Sequence, residues 1–452
     1  MANLSVDSRP PSATLPGKWA PAWVIAFVAA WPAPGIAEAV LALGALFTAS
    51  RLLQLRLNGG IRPLLSVPAW ALTSVLFFAY WLPQLLSAIG AADPSRAWGK
   101  AAAGLRYLPF MWLVAIAVAT AARRRITFTG LAVIVAVWVL DALAQAAAGT
   151  SPLFWSMDQL KWLVNGHGLC SAEEVAAADR LSGVFGPCNL KFGQVLASVS
   201  PFLLFASASR WGRAGWLLSA LLVGVVIVLA GSRASWITYA LVLLFSGWRL
   251  LGRKWMALAL LSGALGVVVL AGVSTQVRER IARTTLAMSG DAAGVDAALS
   301  GRSQIWSAAL CMVRENPLNG VGVREFRNAY PHCDPAAGQQ AAWGAGPAFH
   351  AHQIVLEILA ETGLLGLLLW LAGAAMAWRA WRYADEAARA RARPAALALA
   401  VTVFPFNTHL AFYSAFWGSL TLLLAALFAG ALLAVSDDAD ADADAGVQRF
   451  RS

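Results

Sequence analysis

Apolar runs close to twenty residues long, almost free of charge, recur along this chain, separated by short basic connections and two long polar stretches. A run of that length matches the ~30 Å hydrocarbon core that a helix crosses at about 1.5 Å per residue. Lipid offers no partner to a backbone N–H or C=O, so each run is expected to be helical. The runs centre on 20–31, 36–50, 68–88, 104–121, 126–147, 189–208, 214–231, 234–250, 255–273, 353–378, 395–411 and 413–435. The first two are short, and Pro32, Pro34 and Gly35 between them also fit a re-entrant hairpin; the last two nearly adjoin. The expected fold class is an all-α polytopic membrane protein with about twelve transmembrane helices.

Composition strengthens that reading. Of 452 residues, 59% are hydrophobic and 13% charged, against about 25% charged in a soluble domain. The expected organisation is an N-terminal tail over 1–19, nine spans over 20–273, a large polar loop over 274–350, three spans over 351–435 and an acidic tail over 436–452. Residues 1–18 are polar and Pro-rich, and no cleavable signal is evident.

Charge then sets the sides. With the N-terminus in the cytoplasm, one side receives Arg51, Arg56 and Arg62; Arg123, Arg124 and Arg125; Arg210 and Arg213; Arg249, Arg253 and Lys254; and Arg379, Arg382, Arg389, Arg391 and Arg393. Five basic loops on one side follow the positive-inside rule. The formal charge of +11 is therefore mainly a topology signal and not a nucleic-acid footprint. The opposite side receives the stretches 148–188 and 274–350. Cys170 and Cys188 fall in the first, Cys311 and Cys333 in the second. That one-sidedness suggests an oxidising compartment and two disulfides, pairing within each stretch being the simplest arrangement; four free thiols are the alternative. Asp437 to Asp444 carry an Asp-x-Asp repeat, read as a solvated tail and not as a metal motif.

Candidate chemistry gathers on the outer side. Arg233 sits in the tight turn Gly231-Ser232-Arg233-Ala234-Ser235-Trp236, close enough to the bilayer to meet a lipid phosphate; the plain alternative is a snorkelling arginine. Arg302 is expected at the start of a helix that Asn316-Pro317-Leu318-Asn319-Gly320-Val321-Gly322 ends. Arg278, Arg280 and Arg283 interleave with apolar residues over 277–287, as in an amphipathic surface helix or a solvated face. His352 is expected to open the next span, where it would act as a base or donor, the alternative being a structural histidine. His350 and His352 would point to different sides of any helix. Glu357 and Glu361 share a helix face, with Glu361 expected to serve packing. Two guanidiniums and a base beside a membrane suit a lipid-linked pyrophosphate, with arginine in the place of a divalent cation. No metal cluster and no cofactor are expected.

At these residues the sequence resembles the O-antigen ligases, within the superfamily that includes O-antigen polymerases and protein O-oligosaccharyltransferases. Arg180-Leu-Ser-Gly-Val-Phe-Gly-Pro-Cys-Asn-Leu-Lys-Phe-Gly193 is similar to that superfamily's Arg-x-x-Gly-x-Phe stretch, and Gly231 to Trp236 to its Ser-Arg-x-x-Trp turn. Ser300-Gly301-Arg302 with Trp306 and the Asn-Pro-Leu-x-Gly-x-Gly segment resemble its large periplasmic loop. His352 with Leu356, Glu361, Gly363 and Gly366 fits its closing motif, Gln353 standing where Asn or Ser is frequent. The resemblance implies a glycosyltransferase-C-like fold with a large helical periplasmic loop in the bacterial inner membrane. It implies transfer of a glycan from undecaprenyl pyrophosphate to lipid A–core oligosaccharide, with inversion and without metal. His352, Arg233 and Arg302 would be catalytic, and Arg180, Lys191 and His350 would contact substrate. A repeat unit or a protein hydroxyl as acceptor is the near alternative. A lipid-linked glycan flippase is the distant one, and it would place functional charge at the midplane, where Asp141 and Glu357 form no evident relay.

Overall fold

The computed structural model describes residues 15–57, 64–176, 180–285, 299, 301–336, 346–405, 407 and 411–434. The acidic tail 436–452, most of the N-terminal tail, Arg62, Ser300 and the end of the 277–287 stretch lie outside the described residues, as do the side chains of Arg280 and Arg283.

The described residues form helices and no strand. In chain order these are α1 (Leu15–Ala29), α2 (Pro34–Leu57), α3 (Val67–Ser87), α4 (Pro94–Gly104), α5 (Tyr107–Ile116), α6 (Ala121–Ala148), α7 (Pro152–Asn165), α8 (Ala172–Ala176), α9 (Phe192–Leu229) and α10 (Arg233–Val273). They continue with α11 (Thr275–Thr285), α12 (Arg302–Glu315), α13 (Phe326–Cys333), α14 (Ile354–Tyr383), α15 (Glu386–Thr402) and α16 (Ala415–Leu432). Among the described residues seven helices are long and apolar enough to cross a membrane: α2, α3, α6, α9, α10, α14 and α16.

Two of the seven are bent back on themselves. α9 breaks at Trp211 and Gly212, and α10 at Gly252, all with non-helical backbone. The ends of α9 then meet: a Cβ on Gly193 would lie 2.8 Å from that of Ala230. Across the α9–α10 pair, Tyr239 donates to the Ala220 carbonyl and Trp216 to Ser246 Oγ. The breaks fall at one end of the bundle, where Arg213 donates to the Leu250 carbonyl at 3.0 Å and Arg249 lies 3.8 Å from Glu386. Three of the basic loops thus meet at this end.

Two sequence expectations need correction. Residues 104–121 do not form one span: α4 and the ten-residue α5 divide them, and the chain unwinds after Ile116. The irregular backbone is tolerated because Leu113 to Ala119 are buried among other helices, and Thr127 donates to the Ala117 carbonyl at 2.7 Å. Residues 395–411 also fall short, because α15 ends at Thr402; Pro405 lies just beyond, and Asn407 Nδ2 donates back to the Thr402 carbonyl. α16 is buried on every face, as expected of a helix apolar all round at the centre of a bundle.

α14 carries the feature that positions the site. Gly363 has φ 65° and ψ −167°, which breaks the helix and strips four backbone groups of their helical partners. The Pro317–Gly322 segment replaces them. Val321 N–H and Gly322 N–H donate to the carbonyls of Ala360 and Glu361 at 2.9 and 3.1 Å. Leu364 N–H and Leu365 N–H donate to Pro317 and Leu318 at 2.9 and 3.1 Å. Each such group left buried and unpaired would cost about 1–3 kcal/mol. The approach is so close that a Cβ on Gly320 would overlap the Glu361 backbone, and one on Gly363 the Leu318 carbonyl. The two glycine motifs of the sequence are therefore two halves of one joint.

Gly363→Ala is expected to lower stability in detergent by about 3 kcal/mol, combining backbone strain with this overlap. Gly252→Ala shares the positive φ (76°) but meets nothing within 4 Å, and should cost only about 1 kcal/mol. Thermal unfolding followed by tryptophan fluorescence compares them, and equal losses would remove the joint as the explanation.

Candidate active site

Residues 180–193 run along the end of the bundle opposite the basic loops. Gln145 Oε1 accepts from Gly183 N–H at 2.7 Å and Ser182 N–H at 3.3 Å, and Leu181 N–H donates to the Leu229 carbonyl. Phe185 is buried against Trp138, Phe192 and Phe416. The stretch 148–188 is more ordered than a plain loop. Its helix α7 is capped by Ser151 and by Asp141, whose carboxylate accepts from Ser151 Oγ and Leu153 N–H. Asp141 is thus a capping residue.

Three expected cations stand at helix N-termini. Lys191 is the N-cap of α9, Arg233 the first residue of α10 and Arg302 the first residue of α12. The N-terminal ends of α9 and α10 adjoin through Gly193 and Ser235. Lys191 Nζ lies 5.0 Å over the Phe416 ring, and burial pushes its ammonium below the ordinary lysine range. Arg302 is half-buried, and its basicity is pulled down to about 10, first by burial and then by the like charge of Arg233. A cation at a helix N-terminus also opposes the helix dipole. Each of these costs is reversed when an anion occupies the space, and helix N-termini are themselves anion sites. Ser232 Oγ, next to Arg233, is buried without a hydrogen-bond partner among the described residues. The sequence reading passed over this serine, although it directly precedes the arginine it singled out. Arg180 is partly buried at the start of the same outer segment.

The expected large loop includes a small helical cap with its own core of Ile305, Ala309, Met312, Phe326 and Tyr330. Trp306, one turn beyond Arg302, donates to the Ala351 carbonyl at 3.1 Å and ties α12 to the histidines. Here two expectations change. His352 does not lie in the first turn of α14: Gln353 is the N-cap, accepting from Leu356 N–H at 2.6 Å, and His352 precedes it with φ 54°. His350 and His352 do not diverge, because neither is helical; their ring centroids are 3.9 Å apart. A left-handed backbone at a non-glycine residue costs on the order of 1 kcal/mol and tends to persist where function holds it.

A second cluster was not legible as a group. Arg324, also at positive φ (64°), donates its backbone N–H to Glu361 Oε2 at 2.8 Å. The buried Glu361 therefore holds the cap segment and does more than fill space. Arg96 Nε lies 3.8 Å from the buried Glu325, and Arg327 sits 4.8 Å from the Phe349 ring. Burial and then the charges of Arg324 and Arg96 pull Arg327 below the ordinary arginine range. The available signal was Arg324-Glu325-Phe326-Arg327, charges spaced three apart beyond the Asn-Pro-Leu motif.

Cys170 is bonded to Cys188 and Cys311 to Cys333. Glu315 lies beside the second pair, but sulfurs bonded to each other offer no thiolate to a metal.

Long apolar helices, a helical cap braced against the break in one of them, and cations at converging helix N-termini define a polytopic membrane protein with an anion-suited site at one end. Residues 195–371 match the family model described as O-antigen ligase, and over that segment the chain is similar to that family. The match takes in Arg233, Arg302, both histidines and the α14 joint, while Arg180 and Lys191 fall just outside it. No curated protein matches the chain. The family implies an enzyme of glycosyltransferase-like ligase or polymerase activity, working in general on lipid-linked glycan and lipid A–core.

Replacing Arg302 by glutamine is expected to raise stability at pH 7 by roughly 1–2 kcal/mol, since it removes a buried charge facing Arg233. The folded-state value lies below the ordinary arginine value, so the penalty is full from neutral pH up to about 10 and begins to fade only above that. Thermal unfolding between about pH 7 and about pH 9, over which the gain should stay constant, tests this; a less stable Arg302→Gln protein at pH 7 would show that the two arginines are neutralised by the fold.

Proposed function

We propose that this protein transfers an O-antigen glycan from undecaprenyl pyrophosphate to a sugar hydroxyl of lipid A–core, at the periplasmic face of the bacterial inner membrane. The observation that carries the reading is the meeting of Arg233 and Arg302, each the first residue of its helix, at like-charge range. A pyrophosphate between them turns repulsion into two charge-assisted contacts. The membrane family and the basic loops at the far end support placing this end in the periplasm.

In this reading the acceptor oxygen attacks the anomeric carbon as the bond from that carbon to the pyrophosphate oxygen breaks. The new glycosidic bond forms with inversion, and the electron pair leaves on the pyrophosphate. Arg233 and Arg302 take up the leaving charge in the role a divalent cation would otherwise fill. Ser232 Oγ adds a hydrogen bond to a phosphate oxygen. His352 receives or directs the acceptor proton, and its constrained backbone fixes the ring relative to the donor. His350, Arg180 and Lys191 contact the glycan or the phosphates from the sides. The seven long helices, with α9 and α10 each crossing as two halves, and the shorter α1, α5 and α15 packed among them complete a glycosyltransferase-C-like membrane domain in this proposal.

The test is transfer with purified protein, lipid-linked glycan and lipid A–core in the presence of EDTA. His352→Ala is expected to lower the rate by about 10², and Arg233→Ala or Arg302→Ala by about 10²–10³, with EDTA without effect. Lengthening of the donor glycan with no core modification would replace the acceptor by a second repeat unit. Full activity of all three variants would remove the site, and loss of transfer with EDTA would overturn the metal-independent reading.

A further inference from the structure

At the end of the bundle away from the proposed active site, a cavity of about 1130 Å³ opens between α3, α10, α14, α15 and α16. It exceeds the ~300–1,000 Å³ of sites built for drug-sized ligands. Its long walls are apolar, with Leu76 and Ala79 from α3, Trp370 and Ala377 from α14, and Leu422 and Phe428 from α16. At the basic end the lining changes to Arg249, Arg389, Arg393 and Glu386. Trp248 and Trp378 stand exposed at this rim, the depth at which tryptophan marks the headgroup boundary of a bilayer.

The arginines are not equivalent. Arg389 is committed to the end of α14, donating to the Trp381 and Arg382 carbonyls at 3.1 and 2.9 Å. Arg249 meets the exposed Glu386 only at 3.8 Å. Arg393 enters the cavity from α15 one turn beyond Arg389. Three positive charges against one negative leave a cationic mouth above a slot wide and apolar enough for hydrocarbon chains. A free anion would use the mouth and leave the slot empty; a neutral lipid would fill the slot and leave the mouth uncompensated.

We propose that this cavity binds an anionic diacyl phospholipid of the leaflet facing the basic loops. Its phosphate lies at Arg249 and Arg393, and its acyl chains run inward between α3, α14 and α16. Basic pockets between membrane helices are the recognised form of such sites. The far end of the slot reaches Tyr80 and Phe412, and Phe412 packs on Tyr413, whose hydroxyl pairs with Thr362 beside the α14 break. The bound lipid therefore fills space behind the joint that supports the cap. The proposal rests on the sidedness of the basic loops and not on glycan transfer.

Native mass spectrometry of the full chain decides it, after exchange into detergent with equal amounts of phosphatidic acid, phosphatidylglycerol and phosphatidylcholine. The expected result is retention of the two anionic lipids over phosphatidylcholine by about tenfold. In the double variant Arg249→Gln, Arg393→Gln that preference disappears, while Ala377→Trp, which fills the slot, reduces retention of all three. Equal retention of the three lipids by the unaltered protein would overturn the proposal, whether or not the variants fold. So would a preference unchanged in the double variant, or displacement of the anionic lipids by undecaprenyl phosphate, which would make the cavity a polyprenyl channel.

Discussion

The cap at the candidate-site end of this protein hangs on four backbone hydrogen bonds at the break in α14. A helix interrupted within an apolar environment has no water to repair it, so the freed carbonyls and amides must find protein partners. The Pro317–Gly322 segment supplies them, and in doing so fixes the height and rotation of the cap that follows. Glu361 adds a fifth contact through Arg324 N–H, and Trp306 a sixth through the Ala351 carbonyl. Arg302 and His352 sit on the two strands of chain that this joint clamps together. The joint is thus structural in composition, being made of glycines and main chain, yet it determines the geometry available to the side chains.

Legibility in the sequence followed the strength of each physical signal. Long apolar runs gave the helical membrane class without difficulty, and Arg302 was expected at a helix start, whereas Arg233, expected within the turn, is the first residue of α10. Runs failed as predictors where burial replaced lipid: α5 is short because protein surrounds it, and α15 stops at Thr402 although apolar residues continue. Helical periodicity also misplaced the histidines. It assumes regular backbone up to the first apolar residue, whereas φ 54° at His352 turns the chain and brings the two imidazoles together. The Arg96, Arg324 and Arg327 group was beyond reach for another reason. Arg96 is separated from the other two by more than two hundred residues of sequence and joins them through the docking of the α3–α4 connection on the cap, with Asn319 Nδ2 donating to the Ile89 carbonyl and Val323 N–H to Ser87 Oγ.

The two disulfides divide the labour of ordering the outer surface. Cys170–Cys188 closes the stretch that leads into the N-terminus of α9, so it constrains the approach to Lys191. Cys311–Cys333 joins α12 to α13 inside the cap, a unit whose small core would be marginal alone. Both restrict segments that carry candidate substrate contacts, while the basic end relies on arginine-to-carbonyl capping and needs no covalent staple.

The central position of α16 has a consequence for how the molecule is made. Of the described helices it is the last to leave the ribosome, yet its neighbours enclose it on all faces. The earlier helices must wait in the bilayer without their core, their inner surfaces against lipid or one another, until this final segment arrives. Closure of the bundle therefore waits for Ala415–Leu432 to enter it, however early the preceding helices reach the bilayer.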